Sequence, residues 1–357
     1  MNLFVADPHW GWWIILYFYL GGIAAGAYFT ATLIELMGRD EDSELARIGY
    51  WIAFPLVCLC GLFLTIDLDR PERFWHMLLK SEVVESAFAA GWPFSGAGWR
   101  HMSHAIMFKY WSPMSIGAWA LMLFGLCSFL SFLGTLWPGG RLERWFRHGW
   151  SGRGLQAIGS LVGFFIAAYT GSLLTATNEP VWSDSDWIAP LFLASAASTG
   201  IALIIVIAGW RRVAPAALVR LERADLWALG LELAIFAAFL ASLGGALLAV
   251  LESAHGRVLV VGVLVIGLLV PLALHLRLGV ELPARTALVA AGFALVGGFL
   301  LRYALLTTTP ELLARGPAGV GHFSPEDGRS RGAGSGADPH NYYGDEVAPQ
   351  SKVFGGD

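Results

Sequence analysis

The chain has 357 residues, of which 56% are apolar or aromatic and only 14% are charged. Soluble domains contain about 25% charged residues, so this composition excludes an ordinary soluble protein, and the apolar content excludes disorder over most of the length. The net charge of −4 also argues against the concentrated basic surface of a nucleic-acid-binding protein, which leaves a protein that crosses a membrane several times.

Eight stretches are long enough and apolar enough to cross a bilayer as helices, for which roughly 20 residues are needed. Their interiors show no strict alternation of apolar and polar residues, which excludes the strands of a β-barrel. The sequence therefore predicts an all-α integral membrane protein with eight transmembrane helices. The predicted spans are residues 10–37, 47–66, 113–137, 154–177, 187–210, 225–251, 258–276 and 285–306.

The short connections on one side of the predicted membrane are rich in arginine, whereas the short connections on the other side hold almost no basic residues. Such loops stay in the cytoplasm, so both termini are predicted on the outer, periplasmic side. A long connection at 68–111 and the tail carry further basic residues, but these are widely spaced. The arginines of the short connections are Arg39, Arg47, Arg141, Arg144, Arg147, Arg153, Arg211, Arg212, Arg220, Arg223, Arg277 and Arg285.

The sequence gives no sign of a metal or haem site. Cys58, Cys60 and Cys127 each lie within a predicted span, and without a CxxC or Cys/His set the chain is not expected to ligate zinc or an iron–sulfur cluster. None of the nine histidines lies in the middle of a span, which argues against a buried b-type haem. The first apolar stretch is too long for a signal peptide and lacks a basic start, so it is predicted to remain as a span.

Span count divides the chain into three parts. Residues 1–186 form a first half that holds most of the polar and aromatic detail, residues 187–310 form a plainer second half, and residues 311–357 form a polar tail. The tail is predicted to be disordered, or alternatively to order on a partner subunit. The aromatic-rich connection at 68–111 is predicted either to lie in the membrane interface or to cover a site.

The densest group of ionisable residues lies where the second span meets the outer face. Asp67, Asp69 and Arg70 precede Pro71 and Glu72 there. One interpretation is structural, with Asp69 capping a short helix that Pro71 begins and Glu72 pairing back to the cap. A capping carboxylate can also accept a proton, so the same pattern is compatible with a role for Asp69 in a site.

The end of the fourth span combines Tyr169 with Asn178, nine residues later, and His9 opens the first span on the same predicted side. A phenol at that depth needs a hydrogen-bond partner, which is either a neighbouring carbonyl or the oxygen of a bound ligand. Within the second half, Glu232 and Arg302 are charged residues inside predicted spans. They are candidates for a proton path with Asp67, or alternatively for a buried pair or snorkelling side chains.

Four motifs appear in order between residues 9 and 200. They are His9-Trp10 followed by Tyr19-Leu-Gly-Gly-Ile-Ala-Ala-Gly26, then Asp67-Leu-Asp-Arg-Pro-Glu-Arg-Phe74, then Ser112-Pro-Met-Ser-Ile-Gly-Ala-Trp119, and Tyr169-Thr-Gly171 with Thr177-Asn-Glu-Pro-Val-Trp182. In these motifs the sequence resembles the NrfD/PsrC family, the integral membrane subunit of polysulfide-reductase-type molybdoenzyme complexes. Beyond about residue 210 the similarity is limited to hydropathy and span count.

The resemblance implies two four-helix bundles, no redox cofactor in this chain, and a site for menaquinone or ubiquinone. It further implies a four-cluster, ferredoxin-like iron–sulfur subunit and a molybdopterin catalytic subunit as partners, in a bacterial inner membrane. The family's quinone-site residues correspond to His9, Asp69 and Tyr169, with Arg70 and Asn178 beside them. Because Asp67 is also acidic, the position of the family's acid is open between Asp67 and Asp69.

This function agrees with the residues themselves. Oxidation of a quinol releases two electrons and two protons, so the site needs hydrogen-bond partners at both oxygens and a proton acceptor. Tyr169 and His9 can be those partners and Asp69 the acceptor. Two alternatives are an ion- or proton-translocating module, which predicts broken helices and charges near the bilayer midplane, and a purely structural anchor.

Overall fold

The computed structural model describes residues 10–137, 139–177, 179, 181–279 and 282–314. Over these residues the fold is entirely helical apart from one isolated β-bridge. The helices are α1 (Trp12–Met37), α2 (Ser43–Ile66), α3 (Ser81–Ala89), α4 (Gly96–Ala105), α5 (Pro113–Leu136), α6 (Arg141–Phe146), α7 (Gly149–Thr175), α8 (Ile188–Arg211), α9 (Pro215–Ser242), α10 (Ala246–Glu252), α11 (Ala254–Arg257), α12 (Val270–Leu278) and α13 (Ala284–Ala314). Short 3₁₀ helices cover Asp40–Asp42 and Pro71–Met77, and a π-helix covers Val258–Leu269.

Eight helices in the described residues are long and apolar enough to span a membrane, which confirms the predicted fold class. Seven of them agree with the predicted spans to within a few residues, but the sixth was placed about nine residues too late. Pro215 begins α9 at a position where its missing N–H costs nothing, and the pair Gly244-Gly245 follows its end at Ser242. The predicted segment 225–251 therefore joined most of α9 to the separate helix α10.

The seventh span is one continuous helical segment that consists of α11, the π-helix and α12. The π-helical turns directly precede Pro271, which has no N–H to donate and whose ring would clash with the carbonyl four residues earlier. Wider π turns remove that clash, so this local geometry follows from the proline.

Helices α1, α2, α5 and α7 contact one another in a ring, and α8, α9, the π-helix and α13 form a second set of neighbours. Helices α1 and α8 join the two sets. A methyl group on Gly26 would lie 1.8 Å from the Ala196 carbonyl oxygen, and one on Gly200 would lie 2.3 Å from the Gly26 carbonyl carbon, so only glycine permits this crossing. With this close contact between the halves, the division into two four-helix bundles stays a prediction.

The bundle has two ends, which we call the N-terminal end, where α1 begins, and the opposite end, where α1 finishes and α2 begins. At the N-terminal end, Trp12 stacks on Tyr303 and the Trp182 indole donates to the Leu305 carbonyl at 2.8 Å. These contacts place the start of α1, the α7–α8 connection and the last part of α13 together.

Ion pairs stabilise the opposite end of the bundle. Arg147 binds both Glu35 and the Ser43 backbone carbonyl, and the guanidinium of Arg220 is bidentate to the Asp42 carboxylate. Burial acts to raise the pKa of Asp42, but the hydrogen bonds from Arg220 and from the Arg39 backbone outweigh it and hold that pKa below its ordinary value. The arginines of the short connections thus lock α1, α2, α7 and α9 to one another.

The long connection at the N-terminal end folds into helices α3 and α4. A β-bridge between Leu79 and Ile106 closes it, and the Trp119 indole of α5 donates to the Met107 carbonyl at 3.0 Å. Several of its aromatic side chains are more than half exposed, which leaves an aromatic surface at this end. These side chains are Phe88, Phe94, Trp99, Phe108, Tyr110 and Trp111.

Candidate functional site

Tyr169 lies near the N-terminal end of the bundle on α7, six residues before the helix finishes, which is about 9 Å along the axis at 1.5 Å per residue. Its hydroxyl donates to the Pro113 carbonyl at 2.6 Å, and its ring stacks on Phe165 with centroids 5.4 Å apart. The neighbouring carbonyl that the sequence left as one alternative is therefore present. The phenol oxygen keeps its acceptor capacity for a ligand hydroxyl.

Gly117 determines where the Tyr169 ring packs. A methyl group at Gly117 would lie 2.4 Å from the Tyr169 hydroxyl oxygen and 2.5 Å from the ring carbon that bears it. No side chain fits in that space, so the phenol lies directly against the backbone of α5. The glycine also explains how the hydroxyl reaches the carbonyl of Pro113, at the start of the same helix.

A second phenol, Tyr17 of α1, lies close enough to Tyr169 for the two groups to interact electrostatically. Tyr17 is buried, and its carbonyl accepts a hydrogen bond from the thiol of Cys60 on α2 at 3.8 Å. We call Tyr17, Cys60, Pro113 and Tyr169 the tyrosine cluster. It joins α1, α2, α5 and α7 just inside the N-terminal end of the bundle.

Asp67, Asp69 and Arg70 follow the end of α2, one level further out, and none of the three is buried. The Asp67 backbone N–H closes the helix on Phe63 at 2.9 Å. Desolvation at the helix end and, second, the Asp69 carboxylate raise the pKa of the Asp67 carboxyl above its ordinary value. The two acids therefore lie near each other.

The predicted capping role of Asp69 is wrong. The helix that begins at Pro71 is preceded by Arg70, and it has no side-chain cap. It is also a 3₁₀ helix, in which residues three apart align, and the His76 ring accordingly contacts the Arg73 carbonyl at 3.1 Å. Helix capping therefore does not explain why an acid is present at Asp69.

His9 and Asn178 lie outside the residues that the structure describes. The neighbours of these positions are well anchored. Trp10 stacks on the buried Trp182 with ring centroids 5.3 Å apart, and Trp10 also meets Phe18 edge to face at 5.9 Å. The entrance to α1 is thus fixed against the α7–α8 connection.

Glu232 and Arg302 are buried in the interiors of α9 and α13. Glu232 lies ten residues before the end of α9 and not near its opposite end, as the misplaced sixth span had suggested. The Ser195 hydroxyl accepts a hydrogen bond from the Arg302 guanidinium at 2.5 Å and donates one to the Glu232 carboxylate. That carboxylate also accepts a hydrogen bond from the Ser198 hydroxyl. The two charges form a serine-bridged pair, the buried-pair alternative of the sequence.

A second ionisable pair lies on the same side of α9. Asp225, seven residues before Glu232, approaches the ring of His275 of α12 at 3.7 Å, and both are buried. Glu222 lies three residues before Asp225 and accepts from the Leu282 backbone at 3.0 Å. Asp67, at the end of α2, has no recorded contact with this network among the described residues.

The described residues contain no group of three or more side chains that could hold a metal ion. The sequence profile of the family described as "Polysulphide reductase, NrfD" matches residues 5–313, which is most of the chain. The chain belongs to the NrfD family. Its eight apolar helices are accordingly those of a multi-pass membrane protein.

Three relatives extend this assignment. The NrfD-family chain is 26% identical over 332 residues to Protein NrfD of Escherichia coli, covering 83% of this chain and 93% of that protein. It is 29% identical over 204 residues to the C chain of polysulfide reductase from Wolinella succinogenes, which is 54% of this chain and 56% of that protein. The match to the C subunit of selenate reductase from Mesobacillus selenatarsenatis is 32% over 79 residues, or 22% and 18%. The chain thus spans about half or less of the latter two relatives.

Sequence reasoning about this NrfD-family chain missed several residues. Tyr17 and Gly117 were overlooked as site residues, although Gly117 belongs to one of the recognised motifs. Asp225 was overlooked too, and the signal for it was available. Its spacing of three and seven residues from Glu222 and Glu232 places all three acids on one helix face.

Proposed function

We propose that this chain is the membrane subunit of a respiratory oxidoreductase complex and that it binds quinone or quinol at the tyrosine cluster. The observation that carries the proposal is the Tyr169 phenol, held by the Pro113 carbonyl next to a second phenol, Tyr17. The two hydroxyl groups lie about two helical turns inside the end of an apolar helix bundle. Such a place suits a ligand with an apolar ring and polar oxygens. Membership of the NrfD family supports the same function.

The roles of the residues follow from quinol chemistry. A quinol hydroxyl is a donor, and the Tyr169 oxygen can accept from it because its own proton is engaged by Pro113. His9 is proposed to bind the second oxygen, with Arg70 and Asn178 beside the ring. Asp69 is proposed to pass the released protons to water, since it lies at the same end of the bundle and is not buried.

Asp67 is the alternative proton acceptor. Its pKa is raised, so it holds a proton to higher pH than an aspartate of ordinary pKa would and becomes a base only as the pH rises. If Asp67 is the relay, Asp67→Asn removes the acidic limb of the pH–rate profile. If Asp69 is the relay, Asp69→Asn does so and Asp67→Asn leaves the limb in place.

Electrons are proposed to leave through partner subunits. The free cysteines of the described residues lie on α2 and α5, with Cys60 and Cys127 buried. We therefore assign the redox centres to an iron–sulfur subunit joined to a molybdopterin catalytic subunit. Two relatives are named as lettered components of a reductase, which supports an assembly of several chains. The exposed aromatic surface of α3 and α4, at the same end as the tyrosine cluster, is the proposed docking surface.

The arrangement in the membrane is part of the same proposal. The arginine-rich connections lie at the opposite end of the bundle, which we place in the cytoplasm of a bacterial cell. The tyrosine cluster, the docking surface and both termini then face the periplasm.

Proton translocation is a second candidate function, supported by the serine-bridged pair. A translocating module predicts charged groups within the spans, and Glu232 and Arg302 are buried inside two of the eight apolar helices. Charged groups inside a membrane are costly and are commonly functional. With the complex in vesicles, Glu232→Gln is expected to remove the protons translocated beyond the two that each quinol releases, while quinol turnover continues. An unchanged ratio of protons to quinol would remove Glu232 from the path.

The experiment for the quinol site is Tyr169→Phe in the assembled complex, measured as quinol-linked turnover in membranes. Loss of a hydrogen-bonding group at the reacting oxygen is expected to lower turnover by about 100-fold or more. Tyr303→Phe is the matched control, because Tyr303 lies on α13 at the same end of the bundle and the change keeps the ring that stacks on Trp12. Full turnover by Tyr169→Phe, with assembly intact, would remove Tyr169 from the site.

A further inference from the structure

An apolar groove of about 290 Å³ lies between α2 and α8, away from the tyrosine cluster. Its walls come from one face of each helix, and a single charged side chain lies at its mouth. The residues that carry the argument are Trp51, Pro55, Leu56, Leu203, Ile207 and Arg211.

The groove lies at the depth of one lipid leaflet. It extends from Ile48 to Leu56 on α2 and from Leu203 to Arg211 on α8, which is about 12 Å along each helix. The two helices run in opposite directions, so Ile48 and Arg211 lie at the same level, near the opposite end of the bundle. Half of a bilayer core is about 15 Å thick, so the groove occupies most of one leaflet.

Pro55 accounts for part of the groove's shape. Proline inside α2 cannot donate a hydrogen bond to the Trp51 carbonyl, and its ring pushes the two turns apart. The lining beside it is almost purely aliphatic and aromatic. An apolar slot at this depth excludes water and is filled by hydrocarbon.

The mouth of the groove is positively charged. The Arg211 guanidinium lies 5.9 Å from the centre of the Trp51 ring, and Arg47 and Arg212 are nearby in the sequence. Glu44 is the acid that pairs there, with Arg211 at 3.2 Å and with Arg47 at 3.5 Å. The recorded contact to Glu44 uses only Nη1 of Arg211, and a guanidinium has five N–H donors, so donors remain for a phosphate.

We infer that this groove binds an anionic phospholipid, with one acyl tail between α2 and α8 and the phosphate on Arg211. Basic pockets between membrane helices are typical sites for such headgroups. The occupant is a structural lipid and not the quinol, because the groove and the tyrosine cluster lie at opposite ends of the bundle. The inference therefore stands apart from the proposed quinol site.

The test measures lipid retention by the purified full-length protein with native mass spectrometry. The probes are phosphatidylglycerol and phosphatidylcholine with identical acyl tails. The wild type is expected to retain phosphatidylglycerol preferentially, and Arg211→Ala is expected to weaken that retention about five- to tenfold. Arg141→Ala, which removes an exposed arginine from the same end of the bundle, is expected to leave it unchanged.

A second variant tests the acyl tail. Ile207→Trp fills the groove without changing its charge and is expected to abolish retention. Equal retention of both lipids by the wild type, or equal loss in Arg211→Ala and Arg141→Ala, would overturn the inference. Should Ile207→Trp fail to fold, a phosphatidylglycerol with a photoreactive acyl tail replaces it. Labelling of α2 or α8 supports the groove, and labelling confined to other helices refutes it.

Discussion

Gly117→Ala moves Tyr169 without changing any group that could contact a quinol. The added methyl group would lie 2.4 Å from the Tyr169 hydroxyl oxygen, whereas ordinary contact requires about 3.5 Å. The ring must therefore shift by about 1 Å or α5 must move away from α7 by that amount. Either displacement breaks the hydrogen bond to Pro113, since the hydroxyl is directed to the carbonyl at 2.6 Å.

The size of the effect follows from that displacement. A misplacement of about 1 Å in a reacting geometry costs about 100-fold in rate. Gly117→Ala is therefore expected to reduce quinol-linked turnover about as much as Tyr169→Phe. Because both changes act on the same phenol, their combination is expected to lose much less than the product of the two effects.

The assay is quinol-dependent turnover of the assembled complex in membranes, with assembly checked by co-purification of the partner subunits. Gly125→Ala is the matched control, since it lies on the same helix and its methyl group would meet Val57 at an ordinary 3.5 Å. Wild-type turnover in Gly117→Ala would refute the role of the Tyr169 position. A loss of the same size in Gly125→Ala would show that α5 as a whole, and not the phenol, is responsible.

Three further predictions concern stability. Gly26→Ala is expected to lower the melting temperature of the purified protein strongly, because its methyl group would lie 1.8 Å from a backbone oxygen. Gly230→Ala has open space around its methyl group and is expected to leave the melting temperature unchanged or raise it. Arg302→Met leaves the Glu232 charge buried without its partner and is expected to lower the free energy of unfolding by about 3–5 kcal/mol in denaturant titrations. A change near zero would mean that Arg302 does not compensate the buried charge of Glu232. The lowered pKa of Asp42 means that its stabilising contribution is present above about pH 4 and is lost as the pH falls through the lowered value, so Asp42→Asn is expected to flatten the acid side of the stability profile.

The eight spans could be predicted because length and apolar content alone define a membrane helix. The sixth span failed for a local reason. Its predicted limits enclose a mostly apolar stretch from Asp225 to Leu251, but the Gly244-Gly245 pair inside that stretch breaks the helix. The π-helix before Pro271 was not predicted, although a proline within a span indicates a local departure from α-helical geometry.

The candidate site was predictable only in part. Tyr169 could be selected from the sequence because an isolated phenol inside a span needs a hydrogen-bond partner. The partner itself could not be predicted, because Pro113 lies 56 residues away and contributes a backbone carbonyl. The proximity of Tyr17 depends on the packing of α1 against α7, which hydropathy does not encode. The capping interpretation of Asp69 failed because local pattern does not distinguish a 3₁₀ helix from the first turn of an α-helix.

The most direct test of the central claim is photolabelling of the intact complex with a photoreactive quinone, followed by mapping of the labelled peptides. The proposed site predicts labelling of α7 around Tyr169 or of α1 around Tyr17, and loss of that labelling when excess natural quinol competes. Labelling confined to the groove beside Trp51, or to a partner subunit alone, would contradict it.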